Sequence, residues 1–134
     1  HVPYTEEWAE AFDLTGAILE QMRQEVELVG ADFAVVLVNS LEELEPACWS
    51  QVLRQYPAMR GQTWDLAQPR RLAQEMLAAS GIPTFDLLPV LVAAQGQSRV
   101  PLHFRHDGHW TAVAHRLAGE AVAQWVAALW EGGD

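Results

Sequence analysis

Apolar residues recur at helical spacing over the first thirty positions. Trp8, Phe12, Thr15, Leu19, Met22, Val26 and Val29 alternate steps of four and three, which lines one face of a helix over residues 6–29. Thr5 is placed as its N-cap, with Glu6 and Glu7 in the first turn and Gly30 as the stop. The stripe reads as a core-packing face, with a partner-binding helix as the alternative. Phe33 to Val38 is a short, continuous apolar run rich in β-branched residues. That pattern predicts a strand buried on both faces, as in a parallel sheet. A helix is expected over Glu43–Gln55, ending before Pro57, and a loop from Pro57 to Trp64. Asp65 to Ser80 predicts another helix, with Leu66, Pro69, Leu72, Met76 and Leu77 on its apolar side and Gly81 as its stop. Ile82 to Asp86 predicts a second strand, and Asp86 at its end is placed to cap a turn over Leu87–Ala94. After a loop over 96–100, Thr111 to Trp130 predicts a last amphipathic helix with Thr111 as N-cap. Val113, Leu117, Ala121, Trp125 and Ala128 form its expected buried side.

Helices alternating with short apolar strands imply an α/β fold with a parallel sheet. Two strands are too few to hold such a sheet alone. The expectation is therefore one partial α/β domain over residues 1–134. Its sheet would be completed by a missing N-terminal half or by a second copy, as a homo-oligomer.

The length of 134 residues fits a single core, burying roughly two thirds of the unfolded surface. Half the residues are hydrophobic and six are Trp, which excludes intrinsic disorder. The net charge of -10, with Arg as the basic residue throughout and no Lys, argues against nucleic acid as a partner. That acidity is local. Residues 1–46 carry eleven acids and one Arg, whereas residues 47–134 carry seven of each. A single cysteine, Cys48, excludes an intrachain disulfide and a multi-cysteine zinc site, and it is most simply a small apolar core residue. The apolar runs are too short for a membrane span. The chain starts at His1, with no initiator Met or signal peptide, which reads as a processed or cut end. The compartment is unknown from these features.

The densest polar stretch is His103-Phe104-Arg105-His106-Asp107-Gly108-His109-Trp110, just before the last helix. Three of the five His lie in it, with a carboxylate two residues before His109. Loops at the carboxyl ends of parallel strands are where α/β proteins carry their chemistry. A neutral His can take a proton from a hydroxyl near pH 7, and a neighbouring carboxylate fixes which ring nitrogen bears hydrogen. The bland reading is a helix-entry loop, with Asp107 capping backbone N–H groups and His109 packed beside Trp110. A metal on His103, His106, Asp107 and His109 is a further alternative. No separate ligand cluster supports it, and neither a metal nor a cofactor is expected.

These residues carry a resemblance. Asp107-Gly108-His109-Trp110-Thr111, followed by Ala114-His115-Arg116-Leu117-Ala118, resembles the last motif block of the SGNH (GDSL-like) hydrolases. Gly81 through Pro89 resembles the penultimate strand and turn of that family, and Trp8 through Val38 its middle helix-strand unit. The resemblance covers nearly the whole chain, as the C-terminal part of the fold. It implies part of a flavodoxin-like three-layer α/β/α sandwich with a parallel sheet. It also implies a serine esterase or O-acyltransferase acting on a small-molecule or carbohydrate ester. His109 would be the general base and Asp107 the residue that orients it, with no cofactor required.

The chain departs from the family in three ways. The commoner spacing is Asp-x-x-His, and His106 stands at that Asp position. The Asp-x-His spacing resembles superfamily members that move acetyl groups on polysaccharides. Ala114 stands where Gly is usual. The Gly-Asp-Ser nucleophile block, the Gly block and the Gly-x-Asn-Asp block are absent, and family order would place them upstream. Ser40, Ser50, Ser80 and Ser98 lack a nucleophile-elbow context. The expectation is a segment whose Ser-His-Asp mechanism draws its Ser from elsewhere and which is inactive alone. The alternative is a non-catalytic α/β module that self-associates or binds a protein partner. In that bland frame Asp86 is a turn former, His115 a surface or capping His, Arg70 and Arg71 a solvated pair, and Glu42, Glu43 and Glu45 a solvated face. Trp64 and Trp110 are core residues by default, or the lining of an acyl or sugar site.

Overall fold

The computed structural model describes residues 4–97 and 100–131. It divides into two compact units, one of His1–Val35 and Leu53–Thr84, the other of Val36–Val52 and Phe85–Asp134. The elements in chain order are α1 (Glu6–Leu28), β1 (Val35–Leu37), α2 (Leu41–Leu44), α3 (Pro46–Gln55) and a 3-10 turn (Pro57–Met59). They continue with α4 (Gln68–Ala79), β2 (Thr84–Asp86), α5 (Leu88–Gln95) and α6 (Ala112–Glu131). The two strands form a small parallel sheet. Val35 N–H donates to the Pro83 carbonyl at 2.9 Å, and Leu87 N–H to the Leu37 carbonyl at 3.1 Å.

In the first unit α1 packs against α4. Its half-buried positions are Phe12, Gly16, Leu19, Glu20, Arg23 and Val26. The contact face is therefore turned from the expected stripe. Trp8, Thr15, Met22 and Val29 are exposed, and Gly16, Glu20 and Arg23 join the half-buried side. Gly16 explains the turn: a Cβ there would lie 3.0 Å from Met76 Sδ, so the missing side chain admits Met76. Arg23 is held on the same side by Glu20 and Glu27, each at 2.6 Å. Thr5 serves through its carbonyl, which accepts from Trp8 and Ala9, and makes no side-chain cap bond. Leu77 and Ile82 are the buried apolar residues of this unit.

The second unit has its own core of Leu44, Leu91, Leu102 and Ala114, with Leu88, Trp110, Val113 and Leu117 packed around it. Here α5 packs against both α2 and α6. On α6 the fully buried line is Ala114 and Ala118, flanked by half-buried Val113, Leu117, Ala121 and Trp125, while Ala128 is exposed. Two alanines one turn apart leave the helix surface low enough for Leu91 to close against it.

Several boundaries differ from the sequence pattern: β2 begins at Thr84 rather than Ile82, and α4 at Gln68 rather than Asp65. The expected helix over 43–55 is two helices, because Pro46 pushes Glu45 out of the helical region to φ -121° and ψ 80° and then starts α3. The expected turn over Leu87–Ala94 is a helix, α5, apolar along most of its length, which buries Leu91 and leaves Pro89, Val92 and Ala93 exposed. The strand expected over Phe33–Val38 is three residues, each half-buried, with Val38 exposed. A full three-layer sandwich is more than this two-stranded sheet contains.

Candidate functional site

The second unit positions the histidine-rich stretch between two anchors. Before it, Leu102 is buried in the core. After it, Thr111 starts α6. Its Oγ1 accepts the Ala114 N–H at 3.4 Å and donates to the Pro101 carbonyl at 3.0 Å. His103 and Trp110 then face each other across an antiparallel bridge. Thr111 N–H donates to Leu102 at 2.9 Å and Phe104 N–H to His109 at 2.8 Å, so 103 and 110 are the non-hydrogen-bonded pair whose side chains lie close. Their rings stand edge to face at 6.5 Å, and His115 on α6 meets the other side of the aromatic cluster, 5.4 Å from Trp110.

Residues 104–109 form the exposed tip. Gly108 has φ 70°, a left-handed conformation that L side chains rarely adopt, and its N–H donates to Phe104 at 3.0 Å. That kink lets Asp107 bond twice to His109. Asp107 Oδ1 accepts the His109 backbone N–H at 3.0 Å, and Oδ2 lies 3.4 Å from His109 Nδ1. Asp107 and His109 are 57% and 81% exposed. The His109 backbone N–H holds the Asp107 carboxyl below its usual value, opposed by partial desolvation and helped by the imidazoles of His109 and His106. The arrangement thus combines two readings that the sequence left open. Asp107 caps a backbone N–H and also stands beside Nδ1 of the imidazole.

The remaining candidates are distributed otherwise. His106 is exposed on the tip. His103 is 2% exposed, and neither of its ring nitrogens has a hydrogen-bond partner among the described residues. Burial lowers its pKa, against the raising effect of Glu45 and Glu42. Those two acids are half-buried and act on His103, so they are not the solvated face expected. Glu43 closes a capping box with Ser40. Asp86 accepts the Leu88 N–H at 2.9 Å, the expected turn-forming role. Cys48 is half-exposed rather than buried, and its thiol, 3.8 Å from Glu45 Oε2, is pushed up by burial and by that carboxylate. Asn39, at the end of β1, is buried and donates to the Ser40 carbonyl. Arg71 pairs with Asp65 at 3.0 Å, and Trp64 donates to the Met59 carbonyl at 3.0 Å. No three His, Cys, Asp or Glu side chains gather as a metal-ligand set among the described residues. Ser98 lies outside the described residues. No helix among the described residues is long and apolar enough to cross a membrane.

Residues 6–133 match the family described as the SGNH hydrolase-like domain of the acetyltransferase AlgX. The chain belongs to this family of SGNH hydrolase-like domains. No curated protein and no solved structure matches it. Within an SGNH-like domain, the Asp107-Gly108-His109 tip is the stretch that combines a carboxylate and an imidazole in contact on an exposed, conformationally defined loop.

Proposed function

We propose that the chain contributes the general base to acyl transfer on an ester, either hydrolysis or O-acetyl transfer to a carbohydrate. The observation that carries this is the Asp107–His109 pair on its Gly108 kink in an SGNH hydrolase-like domain. His109 takes the proton of a serine hydroxyl as the serine oxygen attacks the acyl carbon. It then returns that proton to the departing alcohol, and the acyl group stays on the serine. Water or a sugar hydroxyl, deprotonated by the same imidazole, releases it. Asp107 keeps hydrogen on Nδ1 and so leaves Nε2 as the acceptor. The serine belongs to a part of the site outside this chain. Among the described residues Ser40 is occupied in the α2 capping box, and neither Ser50 nor Ser80 sits in a strand-to-helix elbow.

The test is fluorophosphonate labelling read by intact mass, on the 134-residue chain and on the longest product of its reading frame. Labelling of the longer product that disappears in His109→Ala supports the proposal. Labelling of the short chain itself places the nucleophile on one of its own serines. No labelling of either form rejects the enzymatic reading.

A second reading has its own observation. Leu14, Ile18 and Met22 form an exposed apolar row along α1, as a self-associating module would present. Light scattering decides it: a monomer mass at high concentration rejects self-association.

A further inference from the structure

We propose that His103 is the positioning residue of the loop that carries Asp107 and His109, and that a proton on His103 releases that loop. The argument starts from an unusual placement. His103 is 2% exposed, beside a core of Leu44, Leu91, Leu102 and Ala114. A neutral imidazole has one N–H donor and one acceptor, and both are unpartnered among the described residues. A Leu or Phe would fill such a site at lower cost, because burying an unpaired polar group is unfavourable. The group is tolerable only while uncharged.

Its position gives it leverage. His103 forms one side of the bridge that closes the hairpin, opposite Trp110, and the hairpin contains no second bridge among the described residues. Two backbone bonds flank it, Thr111 to Leu102 and Phe104 to His109. The second ends on the very residue read as the base. If His103 moves toward water to hydrate a charge, the Trp110 ring keeps His115 but loses its partner across the bridge, and both bonds lose their alignment.

The surrounding charges set the direction. From α2 and the residue after it, Glu42 and Glu45 favour the protonated form. Arg105 stands on the exposed tip. His106, Asp107 and His109 lie on the exposed side, and α6 brings His115 against Trp110. α5 carries no ionisable side chain. Burial outweighs the two carboxylates, so the folded protein binds this proton less readily than the unfolded chain. Stability of the closed hairpin is then complete above the ordinary His pKa. It is lost as pH falls below that value toward the lowered one.

The significance for acyl transfer rests on reading His109 as the base, whereas the response of the hairpin does not. The experiment uses the full 134-residue chain and no activity. Imidazole ¹H–¹⁵N spectra are recorded from pH 8 to pH 4, with the five His assigned by single substitution. His103 is expected to titrate below its ordinary value. Amide protection factors at Phe104 and Thr111 are expected to fall together at its midpoint. Glu45→Gln should lower that midpoint further, which a purely space-filling role would not do. His103→Leu and His103→Phe should hold the Phe104 and Thr111 protection constant across the same range. An ordinary His103 midpoint, or hairpin amides that keep protection through it, overturns the proposal. Failure of fluorophosphonate labelling would remove His109 as base and leave these spectra unchanged.

Discussion

The hydroxyl of Thr111 joins the candidate loop to α6, and removing it alone is a sharp test of that joint. Thr111→Val keeps the shape and replaces the hydroxyl by a methyl. Two bonds go with it, the 3.0 Å bond to the Pro101 carbonyl and the 3.4 Å bond from Ala114 N–H. The second is long, so its cap contribution belongs at the low end, about 0.5 kcal/mol. The first is well formed. Its loss costs about 1 kcal/mol net, and up to about 2.5 kcal/mol if the carbonyl finds no water. The sum is about 1.5–3 kcal/mol, or a fall of roughly 5–10 °C in Tm for a chain of this size. Thr111→Ser is the control. It keeps both bonds and loses one methyl, about 1 kcal/mol. Urea unfolding followed by far-UV circular dichroism measures both variants. A valine variant as stable as the parent, or a serine variant as damaged as valine, would refute the assignment of Thr111 as the link.

Other outcomes follow from the same structure. Leu91→Ala empties the centre of the second unit's core, where Leu91 is fully buried beside Leu44, Leu102 and Ala114, and should cost about 3 kcal/mol in urea unfolding. A loss below about 1 kcal/mol would mean that the core collapses around the gap. Gly108→Ala has room, since its Cβ would meet only Leu41 Cβ at 4.0 Å, so its cost is conformational, about 1–2 kcal/mol, and Gly108→Asn should recover part of it. Equal Tm values for the alanine variant and the parent would contradict the left-handed kink. In α1, hydrogen bonds from Arg23 and then Gln24 lower the Glu20 carboxyl to about 2. Whatever stability this cluster lends is present above the usual Glu value and lost as pH falls through about 2. A ¹³C titration of Glu20 with a midpoint near that of free Glu would refute the pairing.

Much of the fold was legible because its elements follow strong local rules. The extents of α1 and α6, the Gly30 stop and the order of the two strands all come from periodicity and turn chemistry. What failed did so for identifiable reasons. Pro46 divides α2 from α3 by restricting Glu45, a signal present in the sequence and outweighed by the apolar pattern around it. α5 read as a turn because Asp86-Leu87-Leu88-Pro89 carries turn chemistry, yet Pro is compatible with the first turn of a helix. The rotation of the α1 face toward Gly16 depends on Met76, sixty residues on in sequence, and no local pattern reports it. The position of His103 was hidden in the same way. His103 sits between Leu102 in sequence and Trp110 across the bridge, both part of a core drawn from Leu44, Leu91 and Ala114 on three different helices.

The short Asp-x-His spacing, a departure on sequence grounds, has a geometric basis. A carboxylate two residues before an imidazole reaches Nδ1 when the residue between them turns the chain back, and Gly108 at φ 70° does so. The two oxygens of Asp107 then divide the work. Oδ1 holds the backbone of His109 at 3.0 Å, and Oδ2 stands 3.4 Å from the ring. Because both side chains are exposed, water weakens the charge interaction far more than the orientation, so Asp107 acts chiefly by geometry here. This yields a distinction that substitution can separate. Asp107→Asn preserves an oxygen for the His109 N–H and removes the charged oxygen from Nδ1. The hairpin amides should stay where they are, while the ¹⁵N shifts of neutral His109 move toward the Nε2–H tautomer that free imidazole prefers. Asp107→Ala should move both. If Asp107→Asn displaced the hairpin amides as far as Asp107→Ala does, the charge, and not the backbone bond, would be what shapes the loop.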